Sequence, residues 1–192
     1  MKKYCVKEGK HDFKPFDWPK IVRVKKIDHL LIECRFSLSC IYDFEGDLDQ
    51  LDWNKLPGGS LYLWWNALDH VLPGWRCAPS GLLEMTAYTN SRKNGRQIGN
   101  GKQKVMLTLD PRQELEFKCK ITPYDNGQRW KYQFLKNGKV SPNQAIHDLG
   151  KPMKWLRTTG AWFGGANNSA GPYGGTAPHH MCLFTKITVV KK

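Results

Sequence analysis

The stretch LEFKCKITPYDNGQRWKYQFLKNG, residues 115–138, decides the fold class. Apolar and polar side chains alternate along it on both sides of the Asn126-Gly127 pair. A period of two is typical of a half-buried strand, because successive side chains point to opposite faces of a sheet. An Asn-Gly pair supplies the two positive-φ residues of a tight hairpin turn. The stretch therefore predicts two antiparallel strands, over residues 114–121 and 129–135.

The same signature recurs along most of the chain. Alternating apolar residues predict further strands over residues 32–38, 82–90, 103–109 and 181–190. More Asn-Gly pairs stand at 94–95, 100–101 and 137–138. We expect the pairs at 94–95 and 137–138 to close hairpins.

Helical patterns are scarce. Residues 141–150, SPNQAIHDLG, predict one short turn of helix, with Ser141 as its cap and Pro142 at its first position. The glycine-rich residues 164–176 predict a surface loop before the last strand. Many short strands without βαβ alternation predict an all-β sandwich or jelly roll of two antiparallel sheets.

Length and composition agree with one globular domain over residues 1–192. The chain is 40% hydrophobic and 24% charged, which excludes wholesale disorder. Its 18 glycines are aperiodic, which excludes collagen. No stretch reaches the roughly 20 apolar residues of a membrane helix.

The N-terminus and the cysteines favour a reducing compartment. Residues 1–21 are basic and lack the apolar stretch of a secretory signal, so we expect a protein that is made in the cytosol. The six cysteines form no CxxC motif and no cluster with histidine. Cys34 and Cys119 lie in alternating apolar runs, where a cysteine is usually a small buried hydrophobe. We therefore expect all six thiols to be free.

Three segments together resemble a known family. They are DWNKLPGGS (52–60), GWRCAPSGLLEMTAYTNSRKNGRQIG (74–99) and FGGANNSAGPYGGTAPHHMCLFTKI (163–187). They resemble concanavalin A-like jelly rolls, in particular small proteins of gut Bacteroidetes and their phages. The resemblance implies a β-sandwich with a concave groove, a fold that houses polysaccharide lyases and lectins. Residues 1–30 carry no recognisable motif, and His180 stands where the family usually has Asp, which weakens any claim of a Ca²⁺ site.

A carbohydrate-binding row is the first functional hypothesis. Aromatic rings stack on the apolar face of a sugar, and planar polar side chains flank it. Alternation places part of strand 82–90 opposite its core set Leu83, Met85 and Ala87. The predicted ligand-binding residues are His70, Arg76, Glu84, Tyr88 and Asn90. The alternative for the eight Trp residues is that most of them fill the core.

Two enzymatic alternatives remain open. A polysaccharide lyase needs a group that neutralises a uronate carboxylate and a Tyr/His pair that moves protons. The residues of those types are His70, Arg76, Tyr88 and Gln103. The family's hallmark lyase strands are absent, however, since Gln144 and His147 fall on opposite faces of a strand. A hydrolase would use paired carboxylates, for which Glu45, Asp47 and Asp49 are the candidates.

The charge predicts an anionic partner. The net charge is +13, and a basic hairpin contributes Arg92, Lys93, Arg96, Lys102 and Lys104. The candidate partners are acidic polysaccharide, nucleic acid and an acidic protein face, and specific nucleic-acid recognition is disfavoured because no nucleic-acid-binding signature accompanies the charge. The alternative is a solvated basic surface that only keeps the protein soluble. Adjacent residues of a strand point to opposite faces, so His179 and His180 cannot share a metal ion, and we expect no metal or cofactor.

These observations favour a non-enzymatic lectin-like or structural module. A glycan-handling fold without a signal peptide has little to bind in the cytosol. We therefore expect a phage virion-associated protein that contacts glycans or other virion proteins. The alternative is an exported polysaccharide lyase or glycoside hydrolase that acts on an acidic polysaccharide.

Overall fold

The computed structural model describes residues 1–45, 48–60, 69–88, 91–93, 96–98, 103–164 and 175–192, without the side chains of 48, 91–93 and 96–98. In these ranges the chain forms strands and short 3-10 turns and no α-helix. The strands are β1 (Lys2–Val6), β2 (Ile21–Arg23), β3 (Ile27–Phe36), β4 (Asn54–Lys55), β5 (Gly58–Ser60), β6 (His70–Cys77), β7 (Leu83–Tyr88), β8 (Ser91–Lys93), β9 (Arg96–Ile98), β10 (Val105–Leu109), β11 (Glu116–Tyr124), β12 (Arg129–Lys136), β13 (Lys139–Asp148), β14 (Trp155–Thr159) and β15 (Met181–Lys191). No helix in the described ranges is long and apolar enough to cross a membrane.

Two antiparallel sheets contain most of these strands. The six-stranded sheet has the order β1-β15-β3-β11-β12-β13. The seven-stranded sheet has the order β10-β7-β6-β5-β14-β2, with β4 also paired to β6. Strands β8 and β9 form a separate two-stranded ribbon. The predicted all-β sandwich is confirmed.

Alternation buries one face of each sheet against the other. The apolar set predicted for β11 and β12 is inside, and its buried members are Phe117, Cys119, Ile121, Trp130, Tyr132 and Phe134. Trp75, on β6 of the facing sheet, is fully buried, and its ring centroid lies 5.0 Å from that of Phe36 on β3. Trp75 thus joins the two sheets at the centre of the core.

The predicted short helix over 141–150 is wrong. Residues 141–148 belong to β13, which pairs with β12 from Lys136↔Lys139 to Arg129↔Asp148. Asn137 (φ 50°) and Gly138 (φ 73°) form the predicted turn between the two strands. This turn places β13 beside β12, with which it pairs. Pro142 is tolerated because it lies in an irregular part of an edge strand, where no ladder hydrogen bond is lost.

Other turn and strand predictions had mixed outcomes. The Asn-Gly pairs at 94–95 and 100–101 lie outside the described residues, although the strands that flank 94–95 pair with each other. In β10, the register shifts between Val105 and Leu107, and the side chain of Met106 between them is buried. Most of the predicted loop 164–176 also lies outside the described residues.

The expectation of six free thiols is wrong for two cysteines. Cys5 and Cys182 form a disulfide, and the other four cysteines are buried free thiols. The reason is topological, because β1 pairs with β15 in a register that sets Cys5 directly opposite Cys182. Their Cα atoms are 4.1 Å apart, although 177 positions separate the residues in the sequence.

A thiol count tests this pairing. In denaturant without reductant, four of the six cysteines should react with a thiol reagent, since the other two are joined. Prior reduction should raise the count to six. In the Cys5→Ser variant, the thiol of Cys182 has lost its partner and should also react without prior reduction. Six reactive thiols in the air-oxidised wild type would contradict the disulfide.

Candidate functional site

The outward face of the seven-stranded sheet carries the candidate site. Along β6, Val71, Trp75 and Cys77 point into the core and are fully buried. The intervening side chains, including His70 and Leu72, therefore point to the opposite face of the sheet. This face lies away from the interior between the two sheets.

Strand register brings three polar residues into one row on this face. His70 of β6 is opposite Ser60 of β5, and Ser60 is opposite Arg157 of β14. Directly paired residues of antiparallel strands point to the same side. Leu156, next to Arg157, is fully buried in the core, which confirms that Arg157 points outward.

A second group lies beside this row. Tyr88 of β7 is opposite Leu72, and Lys55 of β4 is opposite Gly74. The Nζ atom of Lys55 lies 5.1 Å from the centroid of the Tyr88 ring and donates a hydrogen bond to the carbonyl of Gly164. A Cβ atom at Gly74 would lie only 3.2 Å from that of Tyr88, so the glycine leaves room for this ring. Lys55, His70, Tyr88 and Arg157 are called the cationic cluster below.

Burial changes the ionisation of the cluster. Desolvation lowers the pKa of Lys55 to about 8, against the opposing effect of the nearby Asp52 carboxylate. Desolvation also lowers the pKa of His70 to about 4, and the positive charges of Lys55 and Arg157 act in the same direction. At neutral pH, Lys55 is therefore mostly protonated, and His70 is a neutral imidazole.

Tyr88 is less accessible than the sequence predicted. Its side chain is only 3% exposed and packs with Trp53 and Leu72 in a small cluster separate from the main core. Burial raises the pKa of Tyr88 to about 12, so its hydroxyl stays protonated at neutral pH. Tyr88 therefore lies on the predicted outward face, where it forms the apolar floor of the cluster.

Arg76 and Glu84 are on the same face but bind each other. The Nε atom of Arg76 donates to Glu84 over 2.7 Å, and its Nη1 atom donates to the carbonyl of Leu51 over 3.0 Å. The guanidinium carbon is 4.3 Å from the centroid of the Trp53 ring. These contacts give Arg76 a structural role at the border of the cluster.

The remaining predicted residues are only partly described. Asn90 and Lys102 lie outside the described residues, as does Asp47. Arg92, Lys93 and Arg96 belong to β8 and β9, and their side chains also lie outside the description. Lys104 is exposed, and Gln103 precedes β10.

The carboxylates predicted for a hydrolase do not form a catalytic pair in the described chain. Glu45 is exposed and has a positive φ of 53°. Asp49 is buried, and its carboxylate accepts a hydrogen bond from the backbone N–H of Gly175 over 2.9 Å. Asp49 thus has a structural contact with the backbone of Gly175.

Lys55 and Arg157 are the functional candidates that sequence reasoning missed. Trp155, Arg157 and Thr159 alternate with Leu156 and Thr158, so the outward position of Arg157 could have been read from the pattern. The neighbouring strands of β14 could not be predicted from the pattern, because β14 pairs with β5 and β2, which are both distant in sequence.

Comparison with known proteins shows the fold. No protein-family model matches this chain, and no curated protein matches it. Among solved structures, the alginate lyase Aly36B is 12% identical, with a TM-score of 0.58 over 96% of this chain and 78% of that one. Alginate lyase vAL-1 from Chlorella virus is 10% identical, with a TM-score of 0.42 over 98% of this chain and 84% of that one. A legume lectin-like domain from Entamoeba histolytica is 6% identical, with a TM-score of 0.36 over 90% of this chain and 79% of that one.

The likeness to Aly36B, together with the two antiparallel sheets, establishes a concanavalin A-like jelly-roll sandwich. The predicted fold class is therefore confirmed. The resemblance to proteins of gut Bacteroidetes and their phages stays a prediction.

The buried neutral His70 predicts a pH-dependent stability. Its folded pKa of about 4 is below the ordinary value of 6.5, so the unfolded chain binds more protons between these pH values. The free energy of unfolding should therefore fall as the pH drops from 6.5 towards 4, by roughly 1–3 kcal/mol from this group. Urea denaturation at pH 7 and pH 4.5 should show a smaller decrease for His70→Gln than for wild type. Equal decreases would contradict the burial of a neutral imidazole.

Proposed function

We propose that the outward face of the seven-stranded sheet binds an anionic polysaccharide through the cationic cluster. The observation that carries this proposal is the placement of Lys55 and Arg157 around a neutral His70, on one sheet face and beside an aromatic floor. Charged donors suit a uronate carboxylate, because ionic hydrogen bonds are about twice as strong as neutral ones. Arg157 offers a planar fork for the two carboxylate oxygens, and Lys55 offers a point charge.

The rest of the face suits a polymer. Trp155 is on the same side of β14 as Arg157, and Ile21 of β2 is opposite Arg157 in the register. Both side chains are partly exposed, and the guanidinium carbon of Arg23 lies 4.9 Å from the centroid of the Trp155 ring. Apolar and aromatic surface next to a cationic centre can contact successive sugar rings. The net charge of +13 adds attraction at long range for any polyanion.

The fold is compatible with this ligand class. Aly36B is named as an alginate lyase, and alginate is an anionic polysaccharide. One fold hosts many activities, so the ligand is argued from the cluster itself.

A binding assay with sodium alginate, a soluble polyuronate, tests the proposal. Wild-type protein should bind it, and Lys55→Met should weaken binding by about tenfold or more, equivalent to ~1.4 kcal/mol. Binding should also decline as the pH rises through about 8, because Lys55 then loses its proton. Lys55→Arg should reduce that pH dependence, since an arginine stays charged. Isothermal titration calorimetry at constant ionic strength is the measurement.

A matched control variant distinguishes binding by the cationic cluster from binding by the overall net charge. Lys186 is exposed on β15 of the other sheet, and Lys186→Met changes the net charge as much as Lys55→Met does. It should leave the affinity nearly unchanged, and a neutral glucan should not bind. Equal losses in both variants would assign the binding to overall charge and remove the cluster from the proposal.

A polysaccharide lyase is the second candidate, favoured by the neutral His70 and the protonated Tyr88 on one face. In β-elimination, the imidazole would take the proton α to the uronate carboxylate, whose charge Arg157 and Lys55 would offset. The C4–O bond would break as the C4–C5 double bond forms, and the Tyr88 hydroxyl would give its proton to the leaving oxygen. A pKa near 4 makes His70 a weak base, and this is why binding ranks first.

Depolymerisation distinguishes the two candidates. Binding without catalysis should produce no ultraviolet absorbance from unsaturated sugar ends when the protein is incubated with alginate. An absorbance increase that His70→Gln and Tyr88→Phe both abolish would establish the lyase in place of the binding module. The fold of each variant is checked by circular dichroism.

We also propose a virion-associated setting, as the sequence predicts. A glycan-binding face needs access to cell-surface glycans, and disulfides occur on virion surfaces as well as in secreted proteins. A gene position among capsid and tail genes would support this setting, whereas an upstream export signal would support the exported alternative.

A further inference from the structure

A second group of reactive side chains lies on the outward face of the six-stranded sheet. Tyr4 and Val6 of β1 are buried, as are Met181 and Leu183 of β15, so Cys5 points away from the core. Cys182 is directly opposite Cys5 in the register. His180 precedes Cys182 by two positions and lies on the same side, with its Nε2 atom 3.3 Å from the Cys182 sulfur.

These three residues have the ligand types and the mutual distances that a metal site requires. One ligand atom from each, two sulfurs and one imidazole nitrogen, lies within 4.8 Å of the others. Zinc in proteins prefers thiolate and imidazole ligands, with Zn–S near 2.3 Å and Zn–N near 2.0 Å. Three such ligands leave one tetrahedral position for water. His180 is exposed and Cys5 is half-buried, so an ion can enter from solvent.

We propose that reduction of the Cys5–Cys182 disulfide creates a zinc site formed by Cys5, His180 and Cys182. A dithiol reductant supplies two electrons and two protons to the disulfide and is itself oxidised to a disulfide. Zinc binding then displaces one proton from each thiol, because the ligand is the thiolate. The oxidised and the metal-bound forms exclude each other, since the same two sulfurs serve both.

The backbone holds the ligands in place without the disulfide. Cys5 exchanges two backbone hydrogen bonds with Lys14, each 2.7 Å long, on the side of β1 away from β15. The backbone N–H of Cys182 donates to the Ser39 hydroxyl over 2.9 Å. Reduction breaks the S–S bond and leaves these bonds, so the two thiols should stay beside His180.

The neighbouring histidine has a different partner. The Nε2 atom of His179 is 2.9 Å from the carbonyl oxygen of Ser39. That His179 and His180 cannot share a metal ion stays a prediction, and it did not consider His180 together with the two cysteines. His179 provides a matched control, because it is adjacent in sequence and outside the ligand set.

Cobalt(II) titration of the full chain tests the proposal. The protein is reduced with a phosphine, freed of reductant and kept without oxygen, and cobalt then reports thiolate ligation by its charge-transfer absorption. We expect about one ion per chain, displaced by zinc. Cys5→Ser, Cys182→Ser and His180→Gln should each weaken cobalt binding by about tenfold or more, whereas His179→Gln should not.

Two further measurements complete the test. Stoichiometric zinc should protect two thiols of the reduced native protein from a maleimide, and the air-oxidised protein should give no charge-transfer band. Absence of the band in the reduced wild type would overturn the proposal, as would an unchanged affinity in His180→Gln. If reduction unfolds the chain, zinc should restore its circular dichroism spectrum, and failure to do so would also overturn it.

Discussion

The packing of Trp75 between the two sheets is the constraint on which the rest of the structure depends. Its indole is fully buried and contacts Phe36 of the opposite sheet, Tyr42 and Phe163, with ring centroids 5.0, 6.1 and 6.2 Å away. Because the indole packs among these rings inside the sandwich, it fixes which face of β6 is inward. Because strand side chains alternate, the same contact sends His70 and Arg76 to the outward face. A one-residue slip of β6 would exchange the two faces and destroy core and site together.

On the outward face, burial changes the ionisation of basic side chains that lie outside the main hydrophobic core. Lys55 and His70 lie where water is scarce, and desolvation lowers the pKa values of both. Burying basic groups costs stability, and the positive charges of Lys55 and Arg157 further lower the pKa of the His70 imidazole between them. Perturbed ionisation in a cluster is therefore the physical sign that distinguishes this part of the sheet from an ordinary solvated face. The Arg76–Glu84 pair, by contrast, satisfies its own charges and stabilises the border.

Much of the fold could be predicted from local pattern, and the failures share one cause. The two strands around Asn126-Gly127 follow directly from period-two alternation, and the turn at Asn137-Gly138 follows from its residue types. The helix predicted at Ser141-Pro142 was wrong because pairing with β12 outweighs a local capping signal. Lys55 and Arg157 were missed because β4 and β14 reach the site only through pairing with strands that no alternation pattern identifies. Alternation tells which face a residue takes, but it does not tell which strands are neighbours.

The Cys5–Cys182 pair depends on that same long-range pairing. Strand β1 joins β15 at one edge of the six-stranded sheet, and the disulfide there closes a loop of nearly the whole chain. In the chain-entropy view, cross-linking so long a loop restricts the unfolded chain by roughly 5 kcal/mol. A zinc ion on the same two sulfurs would link the same two positions, so the restraint on the unfolded chain would survive a change of redox state. The cross-link and the cationic cluster lie on the outward faces of opposite sheets, with the Trp75 core between them. Each face can therefore change its chemical state without rearranging the other, provided that the core keeps its register.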